Sequence, residues 1–162
     1  MPQIYISLGS NINKAHYIRS ALITLKQHFE HIEHSSVYES EAVGFTGNNF
    51  YNSVVGIITN MPLINVCRLL KKIERDNGRT AKDKKFSPRT LDLDLLFYDD
   101  VICQSPAQLP RDEITKNAFV LQPLAEIAPH FYHPVAKQTM AQLWAEYNNP
   151  QQKLWKVEFS NP

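Results

Sequence analysis

Cysteine is scarce in this sequence, two in 162 residues, and Cys67 and Cys103 share no CxxC spacing. That excludes a disulfide framework and a zinc knuckle and suits a reducing compartment. An excess of one charge sign is also lacking: 17 Lys plus Arg stand against 16 Asp plus Glu, a net charge of +1. This is too little for the basic footprint of a general nucleic-acid binder, so nucleic acid is not an expected partner and any anion must be held locally. No run of 18 apolar residues occurs, and Met1 to Ser7 lack a basic segment followed by a long apolar one. The chain is expected to be cytoplasmic, neither secreted nor associated with a membrane. Internal repeats, low-complexity tracts and linkers are missing. What is present, 43% hydrophobic and 20% charged residues, fits one domain over 1–162 with a core sufficient to fold without staples, and not a fused multi-enzyme chain.

Ile4 to Leu8 alternates β-branched and aromatic types before Gly9-Ser10-Asn11 and reads as a strand entering a tight loop. From Lys14 to Phe29, Ile18, Ala21, Leu22, Leu25 and Phe29 recur at helical spacing. Ile32 to Tyr38 reads as a second strand, followed by a polar loop from Glu39 to Asn49 long enough to carry function. Tyr51 to Thr59 is a third strand. After Pro62, which suits the first turn of a helix, comes an apolar stripe of Leu63, Val66, Leu69, Leu70 and Ile73, stopped by Asn77-Gly78. Arg79 to Ser87 is a basic loop, and Arg89 to Tyr98 a fourth strand. The order strand, helix, strand, strand, helix, strand predicts an α+β fold, a ferredoxin-like double βαβ antiparallel sheet with helices packed on it. A C-terminal extension follows, with short helices over Asn117 to Ile127 and Thr139 to Tyr147 and an edge strand over Leu154 to Phe159.

Chemistry concentrates in Leu91-Asp92-Leu93-Asp94-Leu95-Leu96, because side chains two apart on a strand share a face. At about 5 Å and an effective dielectric of about 20, two such carboxylates repel by roughly 3 kcal/mol, so a dry site needs a cation or a shared proton. Magnesium, which takes one or two carboxylates with phosphate oxygens and water, suits this better than zinc, since no histidine lies nearby. A solvated face of an amphipathic strand is the plainer reading. The neighbouring Arg79, Lys82, Lys84, Lys85 and Arg89 favour a polyphosphate spanned by magnesium on one side and arginine forks on the other.

Phe86-Ser87-Pro88-Arg89-Thr90-Leu91-Asp92-Leu93-Asp94 resembles the signature of the 6-hydroxymethyl-7,8-dihydropterin pyrophosphokinases of folate biosynthesis. Gly9-Ser10-Asn11, Phe50-Tyr51-Asn52, Glu74 with Gly78-Arg79, Ala118-Phe119-Val120-Leu121 and Glu126-Ile127-Ala128-Pro129 extend the likeness over nearly the whole chain. The resemblance implies an ATP-dependent diphosphotransferase that moves the β,γ-pyrophosphoryl group of ATP onto the pterin hydroxymethyl oxygen, releases AMP and uses two magnesium ions. It implies Asp92 and Asp94 as metal ligands, with Asp94 also orienting or deprotonating the attacking hydroxyl beside catalytic Arg79 and Arg89. For the reduced pterin alcohol it implies Asn11, Ser40, Val43, Gly44, Phe50, Asn52 and Phe119, with the two phenylalanines sandwiching the ring. For the nucleotide it implies Glu74, Arg79, Lys82, Arg89, Arg111 and Lys116. A monomer is expected.

Several positions depart from the family pattern. Ala81 stands where a second arginine is usual, Ser87 replaces a glycine of the closing loop, Arg111 replaces a histidine that contacts the triphosphate, Asn117 replaces an arginine, and Ser40-Glu41-Ala42 replaces Thr-Pro-Pro. These leave open a paralogue with a different pterin alcohol or weak activity, or a non-catalytic binding module, although a pure binding module has no need of paired aspartates beside arginines. His28, His31, His34, His130 and His133 are expected to be exposed or structural, Cys67 a small core residue, and Trp144 and Trp155 packing for the C-terminal elements.

Overall fold

Alternation of apolar side chains along one strand governs the architecture. In β1 (Gln3–Ser10), Ile4, Ile6 and Leu8 point to one face and Tyr5 to the other. The computed structural model describes residues 1–41, 48–78, 90–160 and 162. β1 is an interior strand of an antiparallel sheet, paired with β4 (Phe50–Ile58) on one side and β5 (Asp92–Tyr98) on the other. β2 (His31–His34) and β3 (Tyr38–Ser40) both pair with β4, and β8 (Leu154–Lys156) adds to β3 as an edge. This is the ferredoxin-like order expected from the sequence, with the edge strand found at the C-terminal segment.

Helices α1 (Lys14–His28) and α2 (Leu63–Asp76) cover one face. Ile18, Ala21, Leu22 and Leu25 from α1 and Val66, Leu70 and Ile73 from α2 meet Ile4, Ile6, Leu8, Val55, Ile57, Leu93 and Leu95 there. Pro62 stands just before α2 rather than within its first turn, and Gly78, at φ +91°, makes the left-handed stop. The opposite face carries a second core, which the sequence reading did not anticipate. α4 (Ala118–Ile127) and α5 (Met140–Glu146) place Val120, Leu121, Leu124 and Met140 over Tyr5, Val54, Leu96 and Phe97. A helical turn α3 (Glu113–Lys116) and a hairpin of β6 (Tyr132–His133) and β7 (Gln138–Thr139) complete this side, both also unanticipated.

Two register changes decide which side chains face the second side. The expected continuous strand Ile32 to Tyr38 is broken at Ser35, whose hydroxyl accepts from Val54 N at 2.9 Å, donates to Ser36 O at 2.7 Å and meets the Ser53 hydroxyl at 3.1 Å. The pairing to β4 shifts by one residue across this break, and the shift turns Tyr38 and Ser40 toward α4. In β5 the pairing to β1 slips between Tyr5 and Ile6, leaving Leu96 as the extra residue. Both Leu96 and Phe97 thereby enter the second core, while Leu91, Leu93 and Leu95 stay in the first.

Candidate active site

Beyond the apolar part of the second core, the same face of the sheet turns polar. Asp94 lies across from Ser7 and Asp92 across from Gly9 on β1, and Gly9 in turn lies across from Asn52 on β4, itself opposite Tyr38 on β3. One cross-strand row thus joins Asp92, Gly9, Asn52 and Tyr38, and the next holds Asp94, Ser7 and Val54. The shared face for the two aspartates follows from their spacing, as the sequence predicted.

At the β3–β4 end, Asn52 Nδ2 donates to the Ser40 hydroxyl at 2.7 Å, both side chains being buried. Among the described residues, the Asn52 carbonyl oxygen and second N–H are left for another partner. A Cβ built on Gly9 would meet Asn52 Oδ1 at 3.6 Å and Phe50 Cδ1 at 3.9 Å, ordinary contact distances. Glycine here is not forced by crowding, and it leaves open the width of a side chain between the carboxylates and the amide. Gly56 is the contrast: a Cβ there would stand 2.9 Å from the Tyr5 ring, so that glycine is needed for packing. Phe119, at the start of α4, lines a small cleft with Ser40, Glu41, Gln152 and Leu154. Phe50, Asn52, Ser40 and Phe119 therefore border one region.

Asn11 is buried, and its side chain donates to Asn48 O at 3.3 Å while Asn48 Nδ2 returns a bond to Asn11 O at 3.4 Å. Lys14 Nζ reaches Asn49 O at 3.2 Å. Asn11 thus holds the chain where it enters β4. Val43 and Gly44, and likewise Arg79, Lys82 and Arg89, lie outside the described residues. Lys116 is exposed on α3 and ion-paired to Asp112 at 3.0 Å.

The electrostatics centre on Asp94. Its Oδ1 is 3.2 Å from Arg111 Nη2, and the same nitrogen is 3.2 Å from Glu113 Oε1. Burial, then the charge of Asp92, with smaller contributions from Glu113 and Glu74, pushes the Asp94 carboxyl up to about 7 against the opposing pull of Arg111. For Arg111, burial alone would weaken the charged form, but Asp94 and Glu113 more than offset it. Arg111 Nε is buried and without a partner among the described residues, a deficit that costs on the order of 1–3 kcal/mol. Glu74, at the end of α2, turns out to hold the strand: its Oε2 accepts from Leu93 N at 2.8 Å, satisfying the outer edge of β5 between the two aspartates.

Among the described residues no three His, Cys, Asp or Glu side chains converge as a metal cage. Two carboxylates on one strand are instead the donor set of a hard cation that draws its other ligands from water and phosphate, so Asp92 and Asp94 fit magnesium. His133 has a structural task, its Nδ1 accepting from Val135 N at 3.2 Å and Ala136 N at 2.9 Å with the ring edge-on to Phe97. Sequence reasoning missed three participants. Gly9 carried a signal in being a glycine inside a strand; Glu113 and Gln152 carried none.

A family model described as 7,8-dihydro-6-hydroxymethylpterin-pyrophosphokinase (HPPK) matches residues 5–129. The 2-amino-4-hydroxy-6-hydroxymethyldihydropteridine pyrophosphokinase of Aquifex aeolicus is 34% identical over 149 residues, 90% of this chain and 92% of that protein. The protein of the same name from Bacillus subtilis is 34% identical over 157 residues, 94% of this chain and 89% of that one. Against a folate synthesis bifunctional protein of Arabidopsis thaliana, 33% identical over 129 residues, the chain spans only 27% of the relative's length. In structure it is similar to Plasmodium falciparum HPPK-DHPS solved with pteroate, at a TM-score of 0.72 and 14% identity, over 90% of this chain and 42% of that one. That likeness bears on the fold, and the fold agrees.

Proposed function

The chain belongs to the 7,8-dihydro-6-hydroxymethylpterin pyrophosphokinase family, enzymes of pyrophosphate transfer in folate biosynthesis, and from that membership we propose how its residues divide the work. The pterin lies in the gap beside Gly9, bordered by Phe50 and Phe119 and read at its polar edge by Asn52, which Ser40 holds in place. Asn11, Val43 and Gly44 complete that side, Asn11 by fixing the end of the adjoining loop. Asp92 and Asp94 would hold two magnesium ions with ATP, and magnesium there would supply positive charge against the phosphate oxygens and lower the cost of bringing them beside carboxylates. Arg79, Lys82, Arg89, Arg111 and Lys116 serve the nucleotide, Arg79 and Arg89 by neutralising the transferred group. Glu74 acts there by holding β5.

In the reaction the pterin hydroxymethyl oxygen forms a bond to the β-phosphorus of ATP, the bond from that phosphorus to the α-phosphate oxygen breaks, and AMP leaves. The Asp94 carboxylate orients the attacking hydroxyl or takes its proton as the new bond forms. The reading includes one pyrophosphokinase domain over 1–162, acting as a cytoplasmic monomer.

The observation that carries this reading is the polar row across β5, β1 and β4, which places the paired aspartates next to Asn52 on one face with a glycine between them. Purified protein with magnesium-ATP is expected to release AMP only when 6-hydroxymethyl-7,8-dihydropterin is added, and Asp94→Ala is expected to abolish that release. AMP formation that ignores the pterin, or persists in a folded Asp94→Ala protein, would refute the assignment.

A further inference from the structure

Arg111 occupies the position where a cation is wanted. Its backbone N–H donates to Leu96 O at 3.1 Å, which fastens the residue to the strand that bears the aspartates. Its Nη2 lies 3.2 Å from Asp94 Oδ1 and 3.2 Å from Glu113 Oε1, and among the described residues it is the cation paired with Asp94. A guanidinium meets an oxyanion best through its flat fork, two parallel N–H groups to two oxygens. Here a single nitrogen is divided between two carboxylates, while Nε, buried, donates to nothing among the described residues. Charge holds the group in place, and its full donor geometry is unused.

We propose that Arg111 is a tethered counter-ion of the metal site: in the metal-free protein its guanidinium occupies Asp94, and a divalent cation arriving on a polyphosphate displaces it, with the polyphosphate accepting the guanidinium in exchange. The proposal rests on Asp94 being a metal ligand. A divalent cation alone must expel the guanidinium from Asp94 and brings it no oxygen in exchange, leaving it the contact with Glu113. The same cation complexed to a polyphosphate brings oxygens in the geometry that the fork prefers, with one for the idle Nε. Metal and nucleotide are therefore coupled through Arg111, each raising the affinity of the other, and the coupling is reciprocal. The site is thereby kept from filling with free divalent ions before the nucleotide is present.

The test is Mn²⁺ binding at pH 8.5, followed by the electron paramagnetic resonance of the free ion, with and without a non-hydrolysable ATP analogue. Wild type, Arg111→Met, Asp94→Asn and the double variant are compared. Arg111→Met is expected to bind Mn²⁺ alone about tenfold more tightly than wild type, and the enhancement of Mn²⁺ binding by the analogue is expected to shrink by about the same factor, within the range usual for coupled sites. Arg111→Gln, which keeps a donor for Glu113, gives the same comparison should the methionine variant fail to fold. Equal Mn²⁺ affinity in wild type and Arg111 variants, with Asp94→Asn still weakening it, would overturn the counter-ion role and leave the metal assignment standing. Mn²⁺ binding indifferent to Asp94→Asn in every background would overturn the metal assignment and the counter-ion role with it.

Discussion

A carboxyl that titrates near neutrality inside a folded protein makes stability depend on pH with a definite sign. Asp94 is pushed up to about 7 by burial and by Asp92, whereas an unfolded Asp titrates at about 3.9. Between roughly pH 4 and pH 7 the folded metal-free protein therefore keeps a proton that the unfolded chain has released, and its stability falls as pH rises through that window. Asp94→Asn removes the titrating group. It is expected to flatten the decline and raise the Tm of the metal-free protein at pH 8 while abolishing pyrophosphate transfer. Melting curves from pH 5 to 8 that decline equally in both forms would show that Asp94 is not the group responsible. An ionised carboxylate at this position thus lowers the stability of the metal-free protein at neutral pH, a cost that a cation bound beside it would offset.

Edge strands expose a row of unpaired backbone groups, and β5 is an edge that must also hold two aspartates in register. Glu74 answers part of this by accepting from Leu93 N. Glu74→Ala is expected to lose about 1–3 kcal/mol of stability in urea denaturation, the cost of a buried N–H left without a partner. Glu74→Gln, which keeps an oxygen in place, is expected to lose much less; equal losses would assign the effect to charge instead. The helical and strand periods of β1, α1, β4, α2 and β5 were legible in the sequence, as was the common face of Asp92 and Asp94, because both are local patterns. The break between β2 and β3 was not legible. It depends on the Ser35 hydroxyl replacing ladder bonds and on Glu126 of α4 accepting from Ser36 N and Oγ and from Tyr38 OH, partners remote in sequence. The pairing of Arg111 with Asp94 and the task of Glu74 were hidden for the same reason: residue type pointed to the nucleotide, and only the fold shows which neighbour each one holds.

On the scale of the whole molecule, the sheet is covered on both faces, and the site lies where the apolar cover of the second face ends. The C-terminal segment closes that margin. β8 pairs with β3 beside Ser40, and Gln152 accepts from Ala118 N at 2.7 Å while donating to Lys116 O at 3.1 Å. These bonds fix the first turn of α4 and with it Phe119. Gln152→Ala is expected to raise the KM for the pterin about fivefold, the worth of roughly one hydrogen bond, with kcat retained. An unchanged KM in steady-state assays would reduce the segment to a cover.

The extra residue at Leu96 has a further consequence for β5. Below it, Asp92 and Asp94 alternate with leucines of the first core; above it, Phe97 has crossed to the other face. The bulge is where this strand can absorb a change of length, and the stretch below it cannot. Losing one residue between Asp94 and the bulge would use up the extra residue and restore a regular ladder, with Asp92 and Asp94 still opposite Gly9 and Ser7, whereas losing Leu93 would turn one of the two carboxylates into the first core. A change of length is thereby confined to the bulge, and the stretch that carries the two carboxylates can change only by substitution.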